Sequence, residues 1–399
     1  MPPIRGVTHF SLDRIWIGHH SRRAATPCSS PRGVTLRHGV GLTPFMHYPR
    51  GSIWPILVRP VTVVIAVGQL HTNTKEQHMV EKSMPNRILV FGASGHIGGP
   101  AAAAIAREAP QVQLRLATHH ASSAEKLTRD FPDAEVVVAD YFNLPELIEA
   151  FESVDGCFVV TPDFLDEETA MTNIIAAVRH HNTLQHLVRL VADPIGMTLE
   201  RVPSALMAVG GGTAVQHLRA KAILDRSGIP ITYINNAAYF MDNFLSFFGP
   251  PIREHRKLVV PRNRRMGFLD TTDTGECAAA ILVSTNPVHI GQIYHLDNGN
   301  DVMKFDGVAE LATKVLDETI TYDGTDEGFE KYCGEAIRGY MGEPDAVQYY
   351  LDYFQFEQDN ETVWRKSDIV EFLTGRPAKR LEDWLIENRS AVLGLSAPL

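Results

Sequence analysis

Cysteine is scarce in this chain and never paired. Cys28, Cys157, Cys277 and Cys333 are the only four in 399 residues, and no CxxC occurs. That leaves no basis for a zinc site or a redox dithiol. It fits a reducing, cytoplasmic setting, and Cys157, inside the apolar run Cys157–Val160, reads as plain core. A long apolar run is missing as well. Residues 54–69 are interrupted by Pro55, Arg59 and Pro60, and the remaining Val61–Val67 falls short of the ~20 residues that span a bilayer. No membrane association is expected. A basic excess is also lacking: the net charge is −10, which speaks against a nucleic-acid partner held by a basic face. No repeat is present, and no His/Cys/Asp/Glu cluster has ligand spacing. No metal is therefore expected, and a metal-dependent hydrolase or nuclease has nothing behind it.

Acidic residues are nearly missing from the first part of the chain. Residues 1–84 hold ten Lys/Arg against three Asp/Glu, and Asp13 is the only acid before Glu76. Pro, Gly and His are scattered there without period. An organelle transit peptide is one reading of such a segment, but a clean amphipathic run is lacking. A disordered tail, or a translated extension outside the functional protein, fits better. Met84 stands three residues before the first strand, where a compact domain could begin.

What is there starts at Arg87. The apolar run Ile88–Phe91 stops at Gly92, Gly95 and Gly98 follow at three-residue steps, and the Ala-rich segment Pro100–Ala106 reads as helix. Strand, glycine turn and helix in that order is the phosphate-cradling start of a dinucleotide fold. Gly92 permits the tight turn, Gly95 lets backbone approach a pyrophosphate, and Gly98 lets the helix pack on the strand. A glycine turn needed only for tight packing is the plainer alternative.

Strand-like and helix-like segments then alternate. Strands are predicted at Val112–Ala117, Glu135–Ala139, Cys157–Val160, Leu184–Leu190 and Ile231–Ile234. Helices are predicted at Ser122–Asp130 (capped by Ser122), Leu144–Phe151, Glu167–His181 and Thr213–Ser227 (closed by Gly228). This alternation predicts an α/β fold with a doubly wound parallel sheet, its ligand at the carboxyl ends of the strands. After about residue 236 the rhythm changes. Aromatics cluster at Tyr239, Phe240, Phe244, Phe247 and Phe248, Ile293–Leu296 looks like a strand, 303–316 like a helix, and 326–389 is mainly helical and acidic. The expected organisation is a non-domain extension over 1–84, a dinucleotide-binding domain over 85–236, and a smaller, mainly helical substrate lobe over 237–392 with segments returning to the sheet.

Several segments in order resemble the NmrA-like family of atypical short-chain dehydrogenases, over roughly residues 85–390. They are Gly92-Ala-Ser-Gly-His-Ile-Gly98, Ala117-Thr-His119, Ala139-Asp140, Val160-Thr-Pro162, His217-Leu-Arg-Ala-Lys221, Tyr239-Phe-Met-Asp-Asn243, Phe268-Leu-Asp-Thr-Thr-Asp273, Leu373-Thr-Gly-Arg376 and Leu381-Glu-Asp-Trp-Leu385. The resemblance implies an NAD(P)H-dependent reductase passing hydride to a quinone or another planar, conjugated acceptor. The alternative it leaves open is a weakly catalytic, redox-sensing regulator acting through a protein partner. A homodimer is also left open.

By the same resemblance the cofactor is held by Gly92, Ala93, Ser94, Gly95, His96, Ile97 and Gly98. Thr118, His119 and Asp140 serve its adenosine half, with a turn cap as the alternative for Asp140. Thr161 and Pro162 meet the nicotinamide ribose. Tyr239, Phe240 and Asn243 close the nicotinamide end, while Phe244 and Phe248 at helical spacing read as core. His119 stands where NADP-using relatives often carry Arg. With no acid there either, His120, Ser122, Ser123 and Lys126 favour NADP, with NAD as the alternative. Lys221 and His217, four apart on one helix face, are the catalytic candidates. Lys221 holds the ribose or the carboxamide, and His217, in place of the usual Tyr, is a proton donor if its pKa lies near working pH. Asn235-Asn236 departs from the family's frequent Arg-Pro, and Gly210–Gly212 reads as a mobile loop of a lid.

Overall fold

The computed structural model describes residues 82–236, 238–360 and 366–395, all within one compact unit spanning Met79–Leu399. The expected N-terminal extension lies outside the described residues except for its last three. Of these, Lys82 is buried, with Nζ donating to the carbonyls of Ile281 and Leu282 at 2.7 and 3.0 Å. Ser83 bonds the Gln185 side chain. The folded unit therefore starts no later than Lys82.

The first half alternates strand and helix: β1 (Arg87–Phe91), α1 (Gly98–Glu108), β2 (Gln113–Thr118), α2 (Ala121–Asp130), β3 (Glu135–Val138), α3 (Leu144–Ala150), β4 (Gly156–Val159), α4 (Glu167–His181), β5 (His186–Val191), α5 (Ser204–Val209), α6 (Thr213–Leu224) and β6 (Ile231–Asn236). Then come β7 (Tyr239–Phe240), α7 (Gly249–His255), β8 (Lys257–Val259), β9 (Arg265–Leu269), α8 (Thr271–Val283) and β10 (Ile293–Leu296). The chain continues through β11 (Val302–Lys304), α9 (Phe305–Leu316), β12 (Thr321–Asp323), α10 (Asp326–Met341) and α11 (Ala346–Asn360). It closes with α12 (Ile369–Thr374), α13 (Leu381–Glu387) and α14 (Arg389–Leu393).

Seven strands form one sheet in the order β10-β6-β5-β4-β1-β2-β3, and every pairing is parallel. A parallel sheet is covered on both faces, so its strands read as continuous apolar runs. Alternate residues serve opposite faces. Ile88 and Val90 join the core with α1 and α8, whereas Leu89 and Phe91 join that with α3, α4 and α6. The Ala-rich α1 lies directly on α8: a Cβ on Gly275 would stand 2.6 Å from the Ala101 amide. From β1 the chain winds outward to β2 and β3, then returns to β4 and winds the other way. The reversal opens a crevice at the carboxyl ends of β1 and β4.

The later segments build a third core around Met241, Phe244, Phe248, Phe268, Phe305 and Trp384. Phe244 and Phe248 are core, as their spacing implied. The lobe is mainly helical, but also contains a small sheet β11-β9-β7 and the pair β12-β8, strands too short to show a period. Boundaries moved as well. His120, not Ser122, precedes α2 and no side chain caps it. α6 ends at Leu224, and Gly228, at φ +77°, turns the chain after it. Residues 302–304 pair with β9 before α9 begins.

Candidate active site

The glycine loop lies at the carboxyl end of β1, with Gly92, Ser94, Gly95 and His96 exposed. Gly92 adopts φ +66°, which disfavours any residue with a Cβ, and its carbonyl accepts from the Gly95 amide at 2.9 Å. A Cβ on Gly98 would collide with that carbonyl and lie 2.8 Å from the Phe91 oxygen. Gly98 is thus the packing glycine and Gly95 the one at the open rim. Ala93 and Ile97 are buried and anchor the loop from below. No side chain caps α1 and no acid stands in its first turn, so its amide end can face an anion.

The adenosine-side residues follow along the same edge. Thr118 ends β2, its hydroxyl 3.4 Å from that of Ser94. Exposed His119 comes next, with Nδ1 3.9 Å from Asp140. Asp140 follows β3 and accepts from the Phe142 amide at 2.9 Å, so it does cap a turn. Lys126 is paired with Asp130 at 2.5 Å.

Thr161 and Pro162 follow β4 on the other side of the reversal, above a buried network that sequence reasoning missed. Arg189 of β5 donates to Glu167 at 2.8 Å and to the Thr161 hydroxyl at 2.6 Å. The Thr161 hydroxyl donates to Glu167 at 2.5 Å. Gln216 of α6 donates to Glu167 at 3.0 Å and to the Pro162 carbonyl at 2.7 Å. The Arg189 and Glu167 side chains are each 1% exposed. The readable hint was a lone Arg in the run Leu187–Val191.

On α6, His217 is 7% exposed and its Nδ1 has no partner. Burial, with the nearby charge of Arg189, pushes it down to about 3. The expected titration near working pH is therefore corrected: the ring is neutral there. Lys221 is half-buried. Its ammonium pairs with Asp225 at 2.5 Å and lies 4.9 Å from the Tyr233 ring centre, while Tyr233 donates to the same Asp225 at 2.8 Å.

Two residues past β5 stands Asp193, also missed. Its amide donates to the Asn235 side chain and its carbonyl accepts from it, both at 2.8 Å. Asn235 Nδ2 also meets His295 Nδ1 at 2.8 Å. The Asp193 carboxyl is buried with Oδ1 unpartnered. Burial raises it to about 7, against the lowering by Arg189 and Lys221. Asn236 likewise holds a buried, unpartnered oxygen.

The 239–243 segment meets the glycine loop through a hydrogen bond between His96 and Asp242. That bond, the largest influence, raises the His96 pKa. Phe240 stands with its ring 6.1 Å from that of His96, and Asn243 is half-buried in the same short turn. Tyr239 turns inward: its hydroxyl donates to Glu357 at 2.8 Å and accepts from Arg264 at 2.7 Å, inside an ion pair whose side chains are 3% exposed. Gly212, expected in a mobile lid, is buried, and a Cβ there would collide with the Tyr349 hydroxyl and the Phe164 ring. Among the described residues no group of three or more His, Cys, Asp or Glu could hold a metal ion. No helix among them is long and apolar enough to cross a membrane.

A parallel sheet with a glycine turn after its first strand, and polar groups gathered at its carboxyl edge, defines a dinucleotide-type α/β protein. The NmrA-like family profile matches residues 84–343, and the chain belongs to that family. A relative from Streptomyces griseus subsp. griseus, the (4-alkanoyl-5-oxo-2,5-dihydrofuran-3-yl)methyl phosphate reductase, is 28% identical over 310 residues, 76% of this chain and 98% of that one. The triphenylmethane reductase of Citrobacter sp. superposes with a TM-score of 0.61 at 19% identity, over 77% of this chain and 100% of that one. An NADPH-dependent quinone oxidoreductase of Escherichia coli, solved with NADPH, gives 0.60 at 19% identity, over 76% and 98%.

Proposed function

We propose that this chain is an NADPH-dependent reductase of planar, conjugated acceptors, quinones or acyl-conjugated enones. The observation that carries the reading is the open glycine cradle at the uncapped amide end of α1, facing the sheet reversal. The residues fit a dinucleotide: Gly95 stands at the rim with no side chain in the way, and buried, unpartnered polar atoms lie at the ends of β5 and β6 and on α6. The names of the Streptomyces relative, a reductase of a conjugated lactone, and of the two structural neighbours support the same class.

In this reading the nicotinamide, when bound, supplies the hydride. The chain's own residues do the rest. Amides of the Gly92–Gly98 loop, other than that of Gly95 which is bonded to the Gly92 carbonyl, would hold the pyrophosphate. His119, His120, Ser122 and Ser123, at the uncapped start of α2, would take the 2′-phosphate, with Asp140 3.9 Å from His119 on the same edge. The Arg189–Glu167–Gln216 network fixes Thr161 and Pro162, which would face the ribose, and Lys221, now paired with Asp225, would hold the ribose hydroxyls. Phe240, with the His96–Asp242 contact, closes the crevice and excludes water.

The test is calorimetric titration with NADPH and NADH, followed by NADPH consumption against quinones and conjugated lactones. Tight NADPH binding with sustained turnover supports the reductase. Binding without turnover supports the redox-sensing alternative.

A further inference from the structure

The reductase assigned above lacks an evident acid. The usual Tyr is replaced by His217, and that ring is neutral and buried. We propose that Asp193 is the proton donor of the reduction, giving its carboxyl proton to the oxygen of the enolate or hydroquinone anion formed once the acceptor has gained hydride. This inference rests on the reductase reading.

The placement carries it. Asp193 stands at the carboxyl end of β5, on the nicotinamide side of the sheet reversal, where ligands of this architecture bind. Asn235 grips its backbone from both sides, amide and carbonyl, at 2.8 Å, so the side chain is aimed from a fixed point. The residue is 7% exposed, yet Oδ1 bonds nothing. A buried polar atom without a partner is uncommon and calls for a reason. An acceptor oxygen supplies one, since a protonated carboxyl is a donor.

The charged groups that act on it are Arg189 of the preceding strand β5 and Lys221 on α6, and His295 of β10 is reached through Asn235. Even against the two cations, burial keeps the carboxyl titrating at about 7, suited to a donor near neutral pH. In the step the carboxyl O–H breaks, its electron pair stays on the carboxylate, and a new O–H forms on the reduced acceptor. The carboxylate then regains a proton from water. Reduction is complete with one hydride and one proton.

The first experiment uses the full chain without ligand, labelled with 13C at aspartate carboxyls. The resonance absent from the Asp193→Asn spectrum should titrate near 7; titration near ~4, the ordinary range, overturns the donor. The second uses the reductase with saturating NADPH. Asp193→Asn should lower turnover ~10²–10⁴-fold with NADPH affinity within about threefold of wild type, a change near RT ln 3. If that variant fails to fold, the wild-type pH profile decides: turnover should fall about tenfold per pH unit above the carboxyl's titration, and a flat profile from pH 6 to 9 overturns the proposal. A wild-type protein that binds NADPH but reduces no acceptor overturns the reductase reading and the donor with it. A working reductase indifferent to Asp193→Asn overturns the donor alone.

Discussion

Glu167→Gln should be among the most damaging single changes in this fold. Its carboxylate meets the Arg189 guanidinium at 2.8 Å, both side chains are 1% exposed, and the same oxygen accepts from Thr161 and Gln216. Removing the negative charge leaves a guanidinium in a dry site, and a guanidinium cannot shed its proton. Breaking one side of such a pair costs ~3–5 kcal/mol, a large part of a typical domain's stability. Arg189→Met should be milder, because a stranded carboxyl can neutralise itself by taking up a proton. The double change Arg189→Met with Glu167→Gln removes both charges together. It should cost less than the sum of the singles by at least ~2 kcal/mol, the coupling expected of residues in one network. Urea unfolding of the four proteins, followed by circular dichroism, gives each value. Single variants within ~1 kcal/mol of wild type, or a strictly additive double, would refute the claim that charge pairing holds the β4 end in place.

Other outcomes follow from the same structure. Gly95→Asp puts a Cβ and a carboxylate at the pyrophosphate rim, so calorimetry should register no NADPH binding while the circular dichroism spectrum stays native. Lys221→Ala should weaken NADPH binding by ~1–3 kcal/mol, the range for a lost hydrogen bond to a charged group; unchanged affinity removes Lys221 from the ribose. Deleting residues through Ser83 removes Lys82 from the end of α8 and should lower unfolding stability by ~1–3 kcal/mol; an unchanged melting curve argues against that tie. His186 is buried against Thr232, and burial pushes it down to about 3. Its unfolded pKa is ~6.5, so the unfolded chain binds the extra proton below that point. Relative to His186→Gln, wild type should therefore lose ~1.4 kcal/mol per pH unit as pH falls from ~6.5 toward 3; parallel stability curves would contradict a neutral buried ring.

The sequence by itself determined the alternation of strand and helix, the parallel sheet and the glycine turn after its first strand. Each is a local property: apolar runs buried on both sheet faces, a positive φ that only Gly92 meets at low cost, and a Gly98 packed too close to β1 for a side chain. It also marked the late aromatic cluster and the return of Ile293–Leu296 to the sheet. Tertiary structure alone decided which charges meet. Arg189 finds Glu167 22 residues away and Arg264 finds Glu357 93 away, while Lys82 reaches carbonyls about 200 positions on. Such pairings have no period to read. Nor could the sequence give the burial that lowers the His217 pKa and raises that of Asp193, because a pKa depends on the water and the charges that the folded chain leaves beside the group.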